Sequence, residues 1–219
     1  MIHAVIVAAG EGKRFGKKKQ FVSISGLPVI IHTLTAFCSS GLFDTVVCVV
    51  AKEDISYFES LMNAYPQMKV AVLEGGSCRQ ESVAAGVFFL EKNYSSNDRV
   101  VIHDGVRPFV TPVLMNKVVD AASDLQGAVA ALPVSDSLKQ VSLDGQILRS
   151  IAREGVWAMQ TPQAFSLGVL AQALRKANAD GFVGTDDAEI VERIGHPVVC
   201  VMGEKENIKI TTVSDLSQA

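Results

Sequence analysis

Six short apolar runs rich in valine and isoleucine, near residues 3–9, 45–51, 69–73, 99–103, 127–133 and 197–202, constrain the architecture of this chain most strongly. They are close to continuously hydrophobic, as expected of strands buried on both faces of a largely parallel sheet. Between them lie longer stretches with apolar residues at helical spacing, near 28–39, 53–64, 78–93, 112–124, 167–179 and 186–194. Parallel strands need crossover connections, so this alternation predicts a doubly wound α/β layer sandwich. Local signals agree with the helices. Pro28 and Pro112 suit first helical turns, with Thr111 as the cap of the second. Ser77 followed by Gln80 reads as a capping box, and Ser166 and Thr185 read as further caps. At 219 residues and 48% hydrophobic content the chain fills one sizeable core. A division in two would leave each half thinly packed, so residues 1–219 are read as one domain.

One segment departs from the rhythm. From Ser135 to Met159 polar and apolar residues alternate around Asp144-Gly145, a hairpin turn signal flanked by strand-like Leu138–Leu143 and Gln146–Ile151. A protruding two-stranded ribbon must bury its apolar side against its own domain or against a second subunit. The last residues, 212–219, read as a short terminal helix at most.

Composition narrows the function. A formal charge of -3 offers no general affinity for nucleic acid or anionic lipid, both of which require a basic face. No apolar run reaches membrane-spanning length. Met1 to Ala9 run straight into a strand pattern without a secretory leader, which predicts a cytoplasmic protein. Cys38, Cys48, Cys78 and Cys200 are scattered singly and read as buried thiols instead of a disulfide framework or zinc site. His3, His32, His103 and His196 form no metal-ligand cluster either. Anion binding must therefore be local, and Lys13, Arg14, Lys17, Lys18 and Lys19 concentrate five of the 20 Lys and Arg residues in one stretch.

In an open parallel sheet, ligands gather beyond the carboxyl ends of the strands. After the first strand comes Ala8-Ala9-Gly10-Glu11-Gly12-Lys13-Arg14-Phe15-Gly16, then the lysine block. Its glycines let backbone N–H groups approach phosphate oxygens, and the cations follow, so it reads as a polyphosphate cradle. Phe15 stands where a dinucleotide fingerprint needs its third glycine, and no Gly-Lys-Ser/Thr of a Walker loop follows. After the third strand, Gly75-Gly76-Ser77 opens a helix whose N-terminus offers free N–H groups. After the fourth, His103-Asp104-Gly105-Val106-Arg107-Pro108 places a carboxylate at a strand end. Asp104 either holds a divalent cation bridging phosphate oxygens or caps a turn; Arg107 either clamps a phosphate or pairs with a nearby acid.

With these loops laid out, the sequence resembles the 2-C-methyl-D-erythritol 4-phosphate cytidylyltransferase family of the non-mevalonate isoprenoid pathway over nearly its whole length. The landmarks are Ala8-Ala9-Gly10-x-Gly12-x-Arg14, Lys19-Gln20, Gly75-Gly76-x-x-Arg79-x-x-Ser82-Val83, His103-Asp104-Gly105-x-Arg107-Pro108, Pro133-Val134-x-Asp136, Arg153 with Trp157, Thr161-Pro162-Gln163, Thr185-Asp186-Asp187 and Asn207-Ile208-Lys209-x-Thr211. The resemblance implies a Rossmann-like nucleotidyltransferase layer sandwich with a hairpin arm over 135–159, and a homodimer in which the arm reaches the neighbouring site. It implies CTP with Mg2+ as the nucleotide, and attack by a phosphate oxygen of the polyol phosphate on the α-phosphorus with loss of pyrophosphate. Arg14 and Lys19 match the cations on the transferring phosphoryl group, and Arg153 and Lys209 the pair that positions methylerythritol phosphate. Ala8, Ala9, Gly75, Gly76 and Ser82 match the cytosine pocket, with Asp104 at the metal. Gly10, Gly12, Lys13, Arg107, Ser137 and Thr161 complete the expected substrate-binding set.

Two departures stand out: Lys18 replaces the proline usual before the position of Lys19, and Ser137 stands where the family often has threonine. Ribitol 5-phosphate cytidylyltransferase shares much of the pattern, but the Asn207-Ile208-Lys209 ending fits the methylerythritol enzyme better. An NAD-dependent oxidoreductase would lack its acid where Ala51-Lys52 ends the second strand. A non-catalytic nucleotide sensor would bind CTP without releasing pyrophosphate.

Overall fold

The structure, a computed structural model, describes residues 1–10 and 18–218. Along the chain, β1 (Ile2–Ala8) precedes a small hairpin of β2 (Ser23–Ile24) and β3 (Leu27–Pro28), then α1 (Val29–Ser39), β4 (Thr45–Val50) and α2 (Ile55–Met62). Next come β5 (Val70–Glu74), α3 (Arg79–Asn93), β6 (Arg99–Asp104), α4 (Pro112–Ala121) and β7 (Gly127–Pro133). A second hairpin, β8 (Leu138–Val141) and β9 (Ile147–Ile151), leads to β10 (Trp157–Ser166), α5 (Leu167–Ala179), α6 (Asp187–Glu192) and β11 (Val198–Met202).

Seven strands form one sheet in the order β11-β7-β10-β6-β1-β4-β5. The chain builds outward from β1 through β4 to β5, then returns to place β6 on the other side of β1. This reversal opens the crevice in which doubly wound folds bind ligands. Alternate β1 residues serve the two faces: Ala4 and Ile6 join Leu34, Phe37, Phe58 and Leu114 in one core, and Val5 joins Val83, Leu90, Leu167 and Ile190 in the other. Fully burying a side chain of this size contributes about 1.5–3 kcal/mol, and helices cover both faces, hence the unbroken apolar runs.

The sheet also contains a strand that the apolar runs do not announce. β10 lies between β6 and β7, antiparallel to both, with a register shift between Met159 and Gln163. Its sequence carries Gln160, Thr161, Pro162 and Gln163 in place of a valine run. Several expected caps differ as well. Thr111 accepts from the Leu114 N–H, as read, and Pro112 opens α4. Ser77, by contrast, donates its N–H and hydroxyl to Glu81, while Gln80 reaches across to Phe182 and Gly184. Ser166 gives its hydroxyl to the Ser96 carbonyl, and Asp186 caps α6 in place of Thr185. Of the cysteines only Cys48 is fully buried; Cys38 and Cys78 are partly covered and Cys200 is exposed, all four as free thiols. The fully buried one is fixed by its place on a central strand, whereas Cys200 lies on the edge strand β11. Among the described residues no helix is long and apolar enough to cross a membrane.

Candidate active site

The carboxyl ends of β1, β4, β5 and β6 open into a cavity of about 570 Å3, a size that suits a small-molecule ligand. The three loops singled out in the sequence meet there: Ala8, Ala9 and Gly10 from the first, Gly75, Gly76 and Ser77 from the second, and Asp104 from the third. Close packing explains the glycines. A Cβ on Gly75 would lie 2.6 Å from the Ala9 Cβ and 2.8 Å from the Ser82 Oγ, so only glycine lets these loops close together. The sheet reaches into the loops as well, because Gly75 and Gly105 donate their N–H groups to Val50 and Val7.

Asp104 is the electrostatic centre of the cavity floor. Its Oδ1 accepts from the Arg79 Nε at 3.1 Å, and its Oδ2 faces the Lys209 Nζ at 2.8 Å and the Arg107 Nε at 3.6 Å. Burial alone would push the carboxyl up, but the charges of Arg79, Lys209 and Arg107 hold it well below the usual carboxylate range. Burial likewise works against charge on Arg79, and Asp187 and Asp104 more than reverse this, so the guanidinium stays a cation.

The backbone under Asp104 is fixed by a chain of hydrogen bonds. The Asp104 N–H donates to the Thr161 Oγ1 at 3.0 Å, which leaves that hydroxyl free to donate to the His103 Nδ1 at 3.0 Å. His103 then carries its proton on Nε2 and donates to the Arg107 carbonyl at 3.1 Å. Burial lowers its pKa to about 4, consistent with a neutral ring.

Lys209 belongs to a segment clamped from two sides. Arg107 Nη1 donates to the Asn207 carbonyl at 2.8 Å, and the Ile210 N–H to the Val106 carbonyl at 2.9 Å. From β10, Gln160 donates to the Glu204 carbonyl at 2.9 Å, and Asn207 returns a bond to the Thr161 carbonyl at 2.7 Å. A lysine on an exposed loop would wander; this one is aimed.

The cavity thus gathers Lys19, Lys209, Asp104, Ser82 and the small residues at 8–10 and 75–76. Of the expected set, Gly12, Lys13 and Arg14 lie outside the described residues. Lys18 turns away to Asp54 at 2.5 Å and Glu53 at 3.1 Å, whereas Lys19 lines the wall. Arg107 makes the structural pairing of its two readings, and Thr161 acts from beneath, through the Asp104 backbone. Arg153 and Ser137 are exposed on the β8–β9 segment and do not line the cavity; Arg153 binds the Ser135 carbonyl. Arg79, Asp187, Gln160 and Asn207 join the site beyond the expected set. Arg79, Asp187 and Asn207 stand inside the recognised motifs, but their roles depend on contacts between residues 25 to 108 positions apart that no local spacing reveals.

Comparison with known proteins points the same way. The family described as IspD, 2-C-methyl-D-erythritol 4-phosphate cytidylyltransferase, matches residues 2–219. A protein of that name from Bacillus licheniformis is 40% identical over 215 residues, covering 97% of this chain and 91% of the relative. One from Pelotomaculum thermopropionicum is 42% identical over 222 residues, covering 100% and 92%. Among solved structures, the Francisella tularensis 2-C-methyl-D-erythritol 4-phosphate cytidylyltransferase superposes with a TM-score of 0.85 at 28% identity, covering 99% of this chain and 97% of that one.

Proposed function

This chain belongs to the 2-C-methyl-D-erythritol 4-phosphate cytidylyltransferase family and is a nucleotidyltransferase of that activity, and on this premise we propose that the reaction runs in the cavity around Asp104. The enzyme joins CMP from CTP to 2-C-methyl-D-erythritol 4-phosphate, giving 4-diphosphocytidyl-2-C-methyl-D-erythritol and pyrophosphate. A phosphate oxygen of the polyol phosphate forms a bond to the α-phosphorus of CTP as the bond to the β-phosphate oxygen breaks. Little covalent chemistry falls to the protein, so catalysis rests on alignment and on charge placed where negative charge accumulates.

The observation that carries the assignment of residues is the convergence of Lys19, Lys209 and Asp104 with the Gly75–Gly76 turn on one cavity. Gly75, Gly76 and Ser82, with Ala8 and Ala9 opposite, form the close-packed wall that takes the cytosine. Gly10, Gly12 and Lys13 belong to the triphosphate cradle, and Arg14 and Lys19 stabilise the transferring phosphoryl group. Lys209 positions the phosphate of the incoming polyol. Its contact with Asp104 holds the ammonium ready at the cavity edge.

Asp104 is also the residue that would hold Mg2+. Its carboxylate lies at the cavity floor and is held ionised, the hard oxygen donor that such an ion takes in ones and twos. When bound, the ion neutralises charge on the nucleotide phosphates.

The hairpin segment 135–159 is proposed to serve as the dimerisation arm, carrying Arg153 and Ser137 into the partner's cavity. Val141, Ile147, Leu148 and Ile151 are exposed along it, and Arg153 stands apart from its own cavity. A cytoplasmic location accords with the free thiols.

The test is pyrophosphate release with CTP against ATP, GTP and UTP, each supplied with 2-C-methyl-D-erythritol 4-phosphate or ribitol 5-phosphate. Turnover should require CTP and the methylerythritol acceptor. Equal or faster use of ribitol 5-phosphate would overturn the acceptor assignment.

A further inference from the structure

We propose that Asp187 is a positioning residue for the transfer, holding the Arg79 guanidinium from behind so that Arg79 in turn fixes the orientation of Asp104; this rests on Asp104 belonging to the catalytic cavity. Asp187 is fully buried and does not line the cavity. Its Oδ2 accepts from the Arg79 Nη2 at 2.8 Å, and the Nε of the same guanidinium donates to the Asp104 Oδ1 at 3.1 Å. A guanidinium is a rigid planar fork, so fixing one nitrogen fixes the direction of another. Arg79 opens α3 and lines the cavity with a long side chain that would otherwise be free to swing into it.

The seat of Asp187 is itself braced. Gln163 of β10 accepts from the Ala188 N–H at 3.1 Å and donates to Asp186 at 3.0 Å, while Asp186 accepts from the Glu189 N–H at 2.9 Å. The same strand supports Asp104 from the other side through Thr161. Among the described residues the Asp187 Oδ1 has no hydrogen-bond partner, an expensive arrangement for a buried carboxylate. A tie of purely architectural purpose is made as well by apolar packing, so the charge is better explained by what it holds.

Asp187→Asn keeps the shape of the site and removes the charge that grips Arg79. We expect kcat to fall on the order of 10²-fold, the usual consequence of a small misplacement of a reacting group, with KM for CTP changed by less than about 3-fold. Arg79→Lys should not recover the rate. In Arg79→Ala, guanidinium chloride well below denaturing concentration should restore turnover at least about tenfold by occupying the vacated site. Because Arg79→Ala leaves Asp187 buried without its cation, the double variant with Asp187→Asn serves as the folding control; it should turn over like Arg79→Ala and ignore guanidinium.

A readout independent of turnover is the Arg79 Nε–H resonance in the ligand-free protein, identified as the signal missing from Arg79→Lys. It should exchange slowly in the wild type and rapidly in Asp187→Asn. A wild-type kcat in Asp187→Asn, or an unmoved Nε–H signal, overturns the proposal. A wild-type protein that released no pyrophosphate from CTP and the methylerythritol acceptor would sink the functional reading instead, and the resonance would still decide whether the clamp exists.

Discussion

A lysine held 2.8 Å from a carboxylate, as Lys209 is from Asp104, has lost much of its freedom before any substrate arrives. Lys209→Ala should therefore fold normally and lower kcat/KM for the polyol phosphate roughly 10- to 100-fold, the worth of a charge-assisted contact, while CTP affinity measured by calorimetry stays close to wild type. A loss confined to CTP binding would contradict the role assigned to Lys209. Gly75→Ala makes the opposite division. Its methyl would enter the contact among Ala9, Ser82 and Val49, so KM for CTP should rise about tenfold or more with a smaller effect on kcat. His103 gives a pH signature in stability. Its pKa falls from the ordinary 6.5 to about 4 on burial, so both folded and unfolded states are neutral above 6.5 and only the unfolded state gains a proton just below it. Stability is thus present above pH 6.5 and lost as pH falls toward 4, by roughly 3 kcal/mol in all. Urea titrations of metal-free protein should show this slope, and His103→Gln should flatten it. The sequence places Asp104 and Lys209 at their loops by motif; their contact with each other, across 105 positions, becomes visible only once β6 and the 203–210 segment are packed together.

At the scale of elements, the six apolar runs correspond to β1, β4, β5, β6, β7 and β11; the interior ones among them, covered on both faces, have no wet side on which to place polar residues, whereas the edge strands β5 and β11 are apolar though only partly buried. β10 escapes the same criterion. Gln160, Thr161 and Gln163 are buried on it but spend their polar groups on Asp104, Asp186 and the 203–207 segment, so a central strand carries no apolar run to mark it. The caps show a similar limit: Thr111 is fixed by its own helix, whereas Gln80 is drawn away to Phe182 and Gly184. Thr111→Val removes both the bond to Leu114 and the one to Glu204, and should destabilise the fold by about 1–2 kcal/mol in chemical denaturation. A shift below a few tenths would mean that α4 needs no cap.

For the molecule as a whole, the proposed arm would make each site the joint work of two copies. If Arg153 serves the partner's cavity, Lys19→Ala and Arg153→Ala subunits, each inactive alone, should complement when mixed and allowed to reassociate. Half of the dimers are then mixed, each with one intact site of two, so activity should reach about a quarter of wild type. No recovery, after exchange has been verified by native mass spectrometry, would place Arg153 in its own subunit's site. The attachment of the hairpin makes such an arrangement inexpensive for the fold. Its two legs leave from neighbouring strands, with Trp157 opposite Pro133 and the Val134 N–H bonded to the Val156 carbonyl at 3.0 Å. The sheet already holds these ends together, so the intervening residues close a loop whose entropy grows only slowly with length. Changes in the ribbon therefore leave the seven-stranded sheet undisturbed, but because the ribbon is proposed to carry Arg153 and Ser137 as well, any such change would alter pairing and chemistry together.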